Sequence, residues 1–168
     1  MQSTIAQQLQ NISPEKDRRV LQTVLEQIAS KHNTTSFVSA GLVIKAGGSV
    51  LAMSSASVIY RAIVRGKLVS IATSTDMPSL LGINITAARF NVVCFFIDSG
   101  STVTAVPGIE ATTAALVTFP DFPVGKALVG FLLITHSSTF TGNTTALDTA
   151  TTLYFSPVGP FDPSLIYS

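Results

Sequence analysis

The sequence predicts a mainly β protein, an antiparallel β-sandwich or barrel preceded by an N-terminal helical arm. From Phe37 onward, Val, Ile, Phe and Thr gather in short runs cut by Gly, Pro, Ser and Asp, the composition of pleated, half-buried strands. Ahead of them the language is different. Of the 19 charged side chains, seven fall between Glu15 and Lys31, which leaves 12 for the 137 residues beyond. A chain of 168 residues fits one body and buries enough surface for a core without metal or disulfide staples. These shifts divide it into 1–33, an arm with an amphipathic helix; 34–156, the sandwich or barrel body; and 157–168, an extended proline-rich tail.

Within the arm, Ile5, Leu9 and Ile12 recur at helical spacing among Gln and Ser, and predict a second short helix or a segment that orders on a partner. Ser13-Pro14-Glu15 then opens the main helix: Ser caps free amides, Pro suits the first helical position, and Glu favours the positive end of the dipole. Leu21, Val24, Leu25 and Ile28 form one apolar stripe that ends near His32-Asn33.

Strands are expected near 37–45, 49–53, 57–64, 67–72, 90–98, 102–105, 116–119, 127–136 and 151–156. Arg65-Gly66 marks one hairpin, and Asp98-Ser99-Gly100-Ser101 a second. Residues 76–88 read as a loop or a short helix. Phe119-Pro120-Asp121-Phe122-Pro123 sets two aromatics between prolines that cannot donate ladder bonds, an arrangement that suits an interface or a core-capping loop tip. The tail, 156–163, carries three prolines and is expected to be extended, able to pack along a neighbour, with Phe161 as a further contact.

The chemistry is sparse. Charged residues make up 11% of the chain, against about 25% in ordinary soluble domains, and neutral hydroxyls fill the difference. With a net charge of +1, little keeps identical copies apart, so self-association or docking on a larger assembly is expected. The same balance gives no electrostatic footprint for nucleic acid or an anionic membrane, and no apolar run approaches the roughly 20 residues of a spanning helix. No secretory signal is expected at the N-terminus, which implies synthesis in the cytoplasm. Residues 32–98 hold five basic and two acidic groups, and 99–168 hold one basic and four acidic, which predicts salt-sensitive association.

Cys94, the single cysteine, excludes an internal disulfide framework and any Cys-rich zinc site, and sits in an apolar run as a small hydrophobe. His32 and His136 lie at element ends, where caps or surface groups are common. No cofactor or metal is expected, and no Gly-x-Ser-x-Gly elbow, Walker loop or His-Glu-x-x-His occurs.

Two resemblances add expectations. Phe95-Phe96-Ile97-Asp98-Ser99-Gly100-Ser101-Thr102 resembles the active-site signature of aspartic proteases, whose two carboxylates share a proton. It implies a dimeric enzyme using Asp98, with Phe96 bulkier than that position usually admits. Turn chemistry explains the same string. The second resemblance is wider. Gly41-Leu42-Val43-Ile44-Lys45-Ala46-Gly47-Gly48, Asp76-Met77-Pro78, Phe90 to Asp98, Phe119-Pro120 with Gly125 to Phe131, and Thr144 to Asp148 resemble stretches of small structural proteins of tailed bacteriophages. That resemblance implies a β-rich, non-enzymatic virion protein, a homotrimeric capsid decoration (cement) subunit on the outer capsid surface, or else part of a fibre or host-adhesion module. Its partners would be copies of itself and the major capsid protein of the shell, with no nucleic acid and no membrane. The interface residues expected on this reading are Ile5, Leu9 and Ile12 in the arm, Leu21, Val24, Leu25 and Ile28 on the helix, and Phe119, Phe122 and Phe161 in the loops.

Overall fold

The computed structural model describes residues 34–45, 49–53 and 57–159, with Leu21 and Gly47 as isolated positions. Apart from Leu21 these belong to one unit, Asn33–Ser168. The chain there is mainly β, with antiparallel sheets throughout. The strands are β1 Thr35–Val38, β2 Val43–Ile44, β3 Ala52–Met53, β4 Tyr60–Val64, β5 Lys67–Ile71, β6 Asn84–Ile85, β7 Phe90–Ile97, β8 Val103–Pro107, β9 Ala127–Thr135, β10 Phe140–Thr141 and β11 Thr151–Phe155, with one short helix, α1 Leu147–Ala150. Two larger sheets carry the structure: β1-β4-β5 and β11-β9-β7-β8. Two-residue pairs, β2-β3 and β10-β6, flank them.

The hairpins form where their turn residues require. Arg65 (φ 52°) and Gly66 (φ 76°) both take the left-handed conformation of a two-residue turn whose twist matches its strands, so β4 and β5 pair without a slip from Val64↔Lys67 to Tyr60↔Ile71. Along β4, Tyr60, Ala62 and Val64 point inward and Arg61 outward, the period of two expected of a sheet with one wet face. In the β7–β8 hairpin the left-handed residue is Ser101 (φ 65°), not Gly100.

Strands β7 and β9 are different, because nearly every side chain on both is buried. Val93, Phe95 and Ile97 join Tyr60, Ala62, Val64, Val69 and Ile71 of the three-stranded sheet in one apolar cluster. Val92, Cys94 and Phe96 face the other way, into a second cluster with Leu128, Phe131, Leu133 and Val117. On β9 the alternation reverses part-way: Ala127 and Val129 join the first cluster, and so do Leu132 and Ile134. The register shift opposite Phe95/Phe96 accounts for this, since one additional β9 residue between Leu128 and Gly130 flips the faces that follow.

Sequence and structure part company at several points. The single run expected at 37–45 divides, because Gly41 (φ 55°) and the bond from its amide to Ser39 Oγ (3.1 Å) turn the chain between β1 and β2. The strand expected at 116–119 is absent: Ala114–Leu116 forms a 3-10 turn, and Thr118 makes an isolated bridge with Ile109. Within 76–88, read as loop or helix, β6 pairs with β10. The helical arm lies outside the described residues, as does the tail beyond Gly159.

The described residues that follow β11 pack along the chain's own β1–β2 segment. Ser36 Oγ donates to the Pro157 carbonyl (3.3 Å), Ser39 Oγ to the Ser156 carbonyl (2.9 Å), the Leu42 amide to Ser156 Oγ (3.1 Å), and the Gly159 amide to the Ser36 carbonyl (2.9 Å). These four bonds strap the end of β11 to the β1–β2 segment. Gly130 lies beneath the strap, where a Cβ would meet Leu42 Cδ1 and the Phe155 carbonyl at 2.5 Å.

Candidate interaction surface

The second face of the four-stranded sheet is closed by the segment that follows β8. Its path is fixed by backbone bonds: the Gly108 amide donates to the Val92 carbonyl, Phe90 and Ala111 exchange both of their bonds, and Ile109 and Thr118 do the same. Val117 is thereby buried. Phe119 stands edge-on to Phe131 (5.1 Å between ring centroids, 83°), and Phe122 edge-on to Phe96 (5.2 Å, 71°). Such pairs contribute about 0.5–1.5 kcal/mol beyond area burial. The outer side of this cover leaves Ile109, Leu116 and Val124 well exposed, and Phe122 is still 38% exposed. At the β11 edge Phe155 leans on Phe131 (5.8 Å) and is half exposed.

A second apolar area lies on the outer face of the three-stranded sheet. Thr35, Ile63 and Leu68 stand side by side across β1, β4 and β5, and in the next row Val38, Arg61 and Ser70 do the same. Leu68 is 63% exposed and Phe37 49%, and Val58 and Ile59 stand exposed just before β4. Arg61 is the one charge in these two rows.

The polar groups singled out by sequence are taken up by the fold. Asp98 Oδ1 accepts from the Gly100 amide (2.8 Å) and the Thr102 amide (3.0 Å). The Thr102 bond, then the Gly100 bond, hold its carboxyl below the usual range, with smaller help from Lys126 and Lys67. Glu110 behaves similarly, accepting from the Thr86 amide and hydroxyl, which lower its pKa. His136 Nδ1 meets Ser138 Oγ at 2.9 Å within one turn. Cys94 is fully buried, and desolvation pushes its thiol up to about 12, the behaviour of an unreactive core residue. Tyr60, also buried, donates to the Leu128 carbonyl (3.2 Å), a link between the two larger sheets. Among the described residues no three His, Cys, Asp or Glu side chains come together as metal ligands.

No known protein family, curated protein or solved structure matches this chain.

Of the interface residues expected from sequence, Phe119 and Phe122 are placed by their own core, each with one face on a buried ring. Leu21 is half-buried. Ile5, Leu9, Ile12, Val24, Leu25, Ile28 and Phe161 lie outside the described residues. Among the exposed residues that sequence reasoning missed are Phe37, Leu68, Leu81, Ile109, Leu116 and Val124. For Leu68 a signal was present: pairing outward from Arg65-Gly66 puts it on the same face as Arg61, away from Tyr60, Ala62 and Val64.

Proposed function

We infer that this chain is a non-enzymatic virion structural protein, a capsid decoration or cement subunit that binds the outside of an assembled shell as an oligomer, a homotrimer on the resemblance given above. The observation that carries the reading is the pairing of large exposed apolar side chains, Leu68, Ile109, Leu116 and Val124 among them, with a chain only 11% charged. Apolar groups so placed on so sparsely ionised a chain favour coverage by other protein. In this reading the two larger sheets are the halves of an antiparallel β-sandwich. Residues 1–33 are a helical arm that reaches over neighbouring capsid subunits, with Ile5, Leu9 and Ile12 as its contacts. The mechanism is mass action: a subunit that binds the closed shell and not its dissociated parts stabilises the shell by RT ln(1 + [L]/Kd) per site.

The alternative, a fibre or host-adhesion module, draws on the exposed Ser137, Ser138 and Thr139 ahead of β10, hydroxyls suited to hydrogen-bonding sugars. Copy number separates the two. Shells lacking the protein are mixed with the purified chain, pelleted and quantified. On the decoration reading hundreds of copies bind per particle, the shell's melting temperature rises, and deletion of residues 1–12 abolishes binding while the chain stays folded. Tens of copies or fewer would favour a fibre, and no binding at micromolar concentration overturns the decoration reading.

A further inference from the structure

The edges of the two larger sheets are unequal. β1 is broken by a register shift between Ser36 and Val38 and is strapped by the tail. β11 carries a shift between Thr151 and Leu153 and runs into that strap. β8 ends in Pro107, which has no amide to offer, and its side chains are half-buried up to Val106. Bulges, prolines and covering segments are the devices by which sheet edges are kept from pairing with other chains. Among the described residues β5 has none of them. It pairs with β4 in unbroken register over all five residues, and no described residue hydrogen-bonds to its outer side.

Hairpin geometry says which groups that edge presents. Val64 and Lys67 close a two-residue turn and exchange both of their bonds, so Val69 and Ile71 also face β4, and the amides and carbonyls of Leu68 and Ser70 point away from it. Their side chains are exposed, uncharged and on the outer face.

We propose that the outer edge of β5 joins a second copy of this chain, β5 against β5 about a two-fold axis at Val69. The strand is complementary to itself in that register. Leu68 of one copy faces Ser70 of the other, twice, and each facing pair exchanges two backbone bonds through groups that already point outward. Val69 sits opposite Val69. Each Leu68, flanked by Ile63 on its own sheet, comes beside a small side chain, and one six-stranded sheet carries the two apolar outer faces as a single surface. Charge does not oppose the contact. The two Lys67 ammonium groups lie four residues apart along the pair, about 14 Å at strand rise and beyond a Debye length at physiological salt. A net charge of +1 sets up no long-range repulsion between copies. This two-fold contact does not rest on the shell reading. Where a three-fold contact also forms, it links trimers in pairs.

Sedimentation of the full chain between about 1 and 100 µM, with amide hydrogen exchange at both ends of that range, tests it. The expected result is a concentration-dependent doubling of mass, with the Leu68 and Ser70 amides protected at the high concentration and open at the low one. Ser70→Pro removes an outward amide without touching the bonds to β4, and raises the Kd of the doubling step at least ten-fold. Ser70→Ala keeps the amide and stays within two-fold of the unaltered chain. Where the proline variant loses its native circular dichroism, Leu68→Lys takes its place, with the same ten-fold loss expected. A chain that never doubles, amides equally open at both concentrations, or Ser70→Pro (or Leu68→Lys) that associates like the unaltered chain would overturn the proposal. A three-chain mass untouched by these substitutions would overturn it as well, while leaving the trimer reading in place. No shell enters these measurements, so loss of shell binding is scored separately.

Discussion

Asp98 shows how one carboxylate can carry a turn. Its oxygen takes the Gly100 and Thr102 amides that the turn would otherwise leave to water, and Ser101 accepts the left-handed conformation that closes the hairpin. The consequence is a pH dependence with a defined sign. Because the folded carboxyl holds its proton more weakly than the unfolded one, whose ordinary value is 3.8, the stabilisation is complete well above that value and is lost as pH falls through the lowered folded pKa. Carboxyl NMR should place the Asp98 midpoint below 3.8, and Asp98→Asn should make the acid limb of the stability profile less steep because it lowers stability at neutral pH, where the carboxylate's contribution is complete, and not at pH values below the folded midpoint. A midpoint at or above 3.8 would contradict the turn's role. The eight-residue string that resembles a protease signature was legible as turn chemistry because Asp and Gly act on their own backbone, with no tertiary information needed.

At the scale of elements, the decisive position is Gly130. It sits at the β9 irregularity that turns Leu132 and Ile134 toward the first cluster and Phe131 and Leu133 toward the second, and it lets the strap pass at contact distance. Gly130→Ala should lower stability by about 1–3 kcal/mol, since two of the three atoms met by the new methyl belong to the strap, the Phe155 carbonyl and Ser156 Oγ. Thermal unfolding measures it, and an unchanged melting temperature would mean that the strap moves freely. The long strands β7 and β9 and the Arg65-Gly66 hairpin were readable as apolar runs between turn residues. The face reversal was not, because a one-residue irregularity leaves no trace in composition. Nor were β6 and β10, since two residues have no period. By sequence Phe119 and Phe122 suited an interface or a core-capping tip alike, and only the second buried face of the four-stranded sheet explains why each ring packs against a buried phenylalanine.

For the molecule as a whole, the strap closes one flank and leaves β5 open on another sheet edge. Ser156 Oγ is the acceptor for the amide of Leu42, a residue with only 3% exposure, so Ser156→Ala leaves that donor without its partner. The expected loss is about 1–2 kcal/mol in denaturant unfolding, with the core signals of β7 and β9 unchanged in the native spectrum. A loss below 0.3 kcal/mol would show that water replaces the hydroxyl at no cost.

The bonds from Ser36, Ser39 and Leu42 to their strap partners span 114 to 121 positions of sequence. During synthesis β1 therefore leaves the ribosome long before the residues that fasten it, and the nascent chain must hold Leu42 and the underside of Gly130 uncovered until Ser156 clears the exit tunnel. Closure of this flank therefore waits for Ser156, and a nascent chain stalled short of it leaves the Leu42 amide without its partner, a substrate for chaperones and proteases.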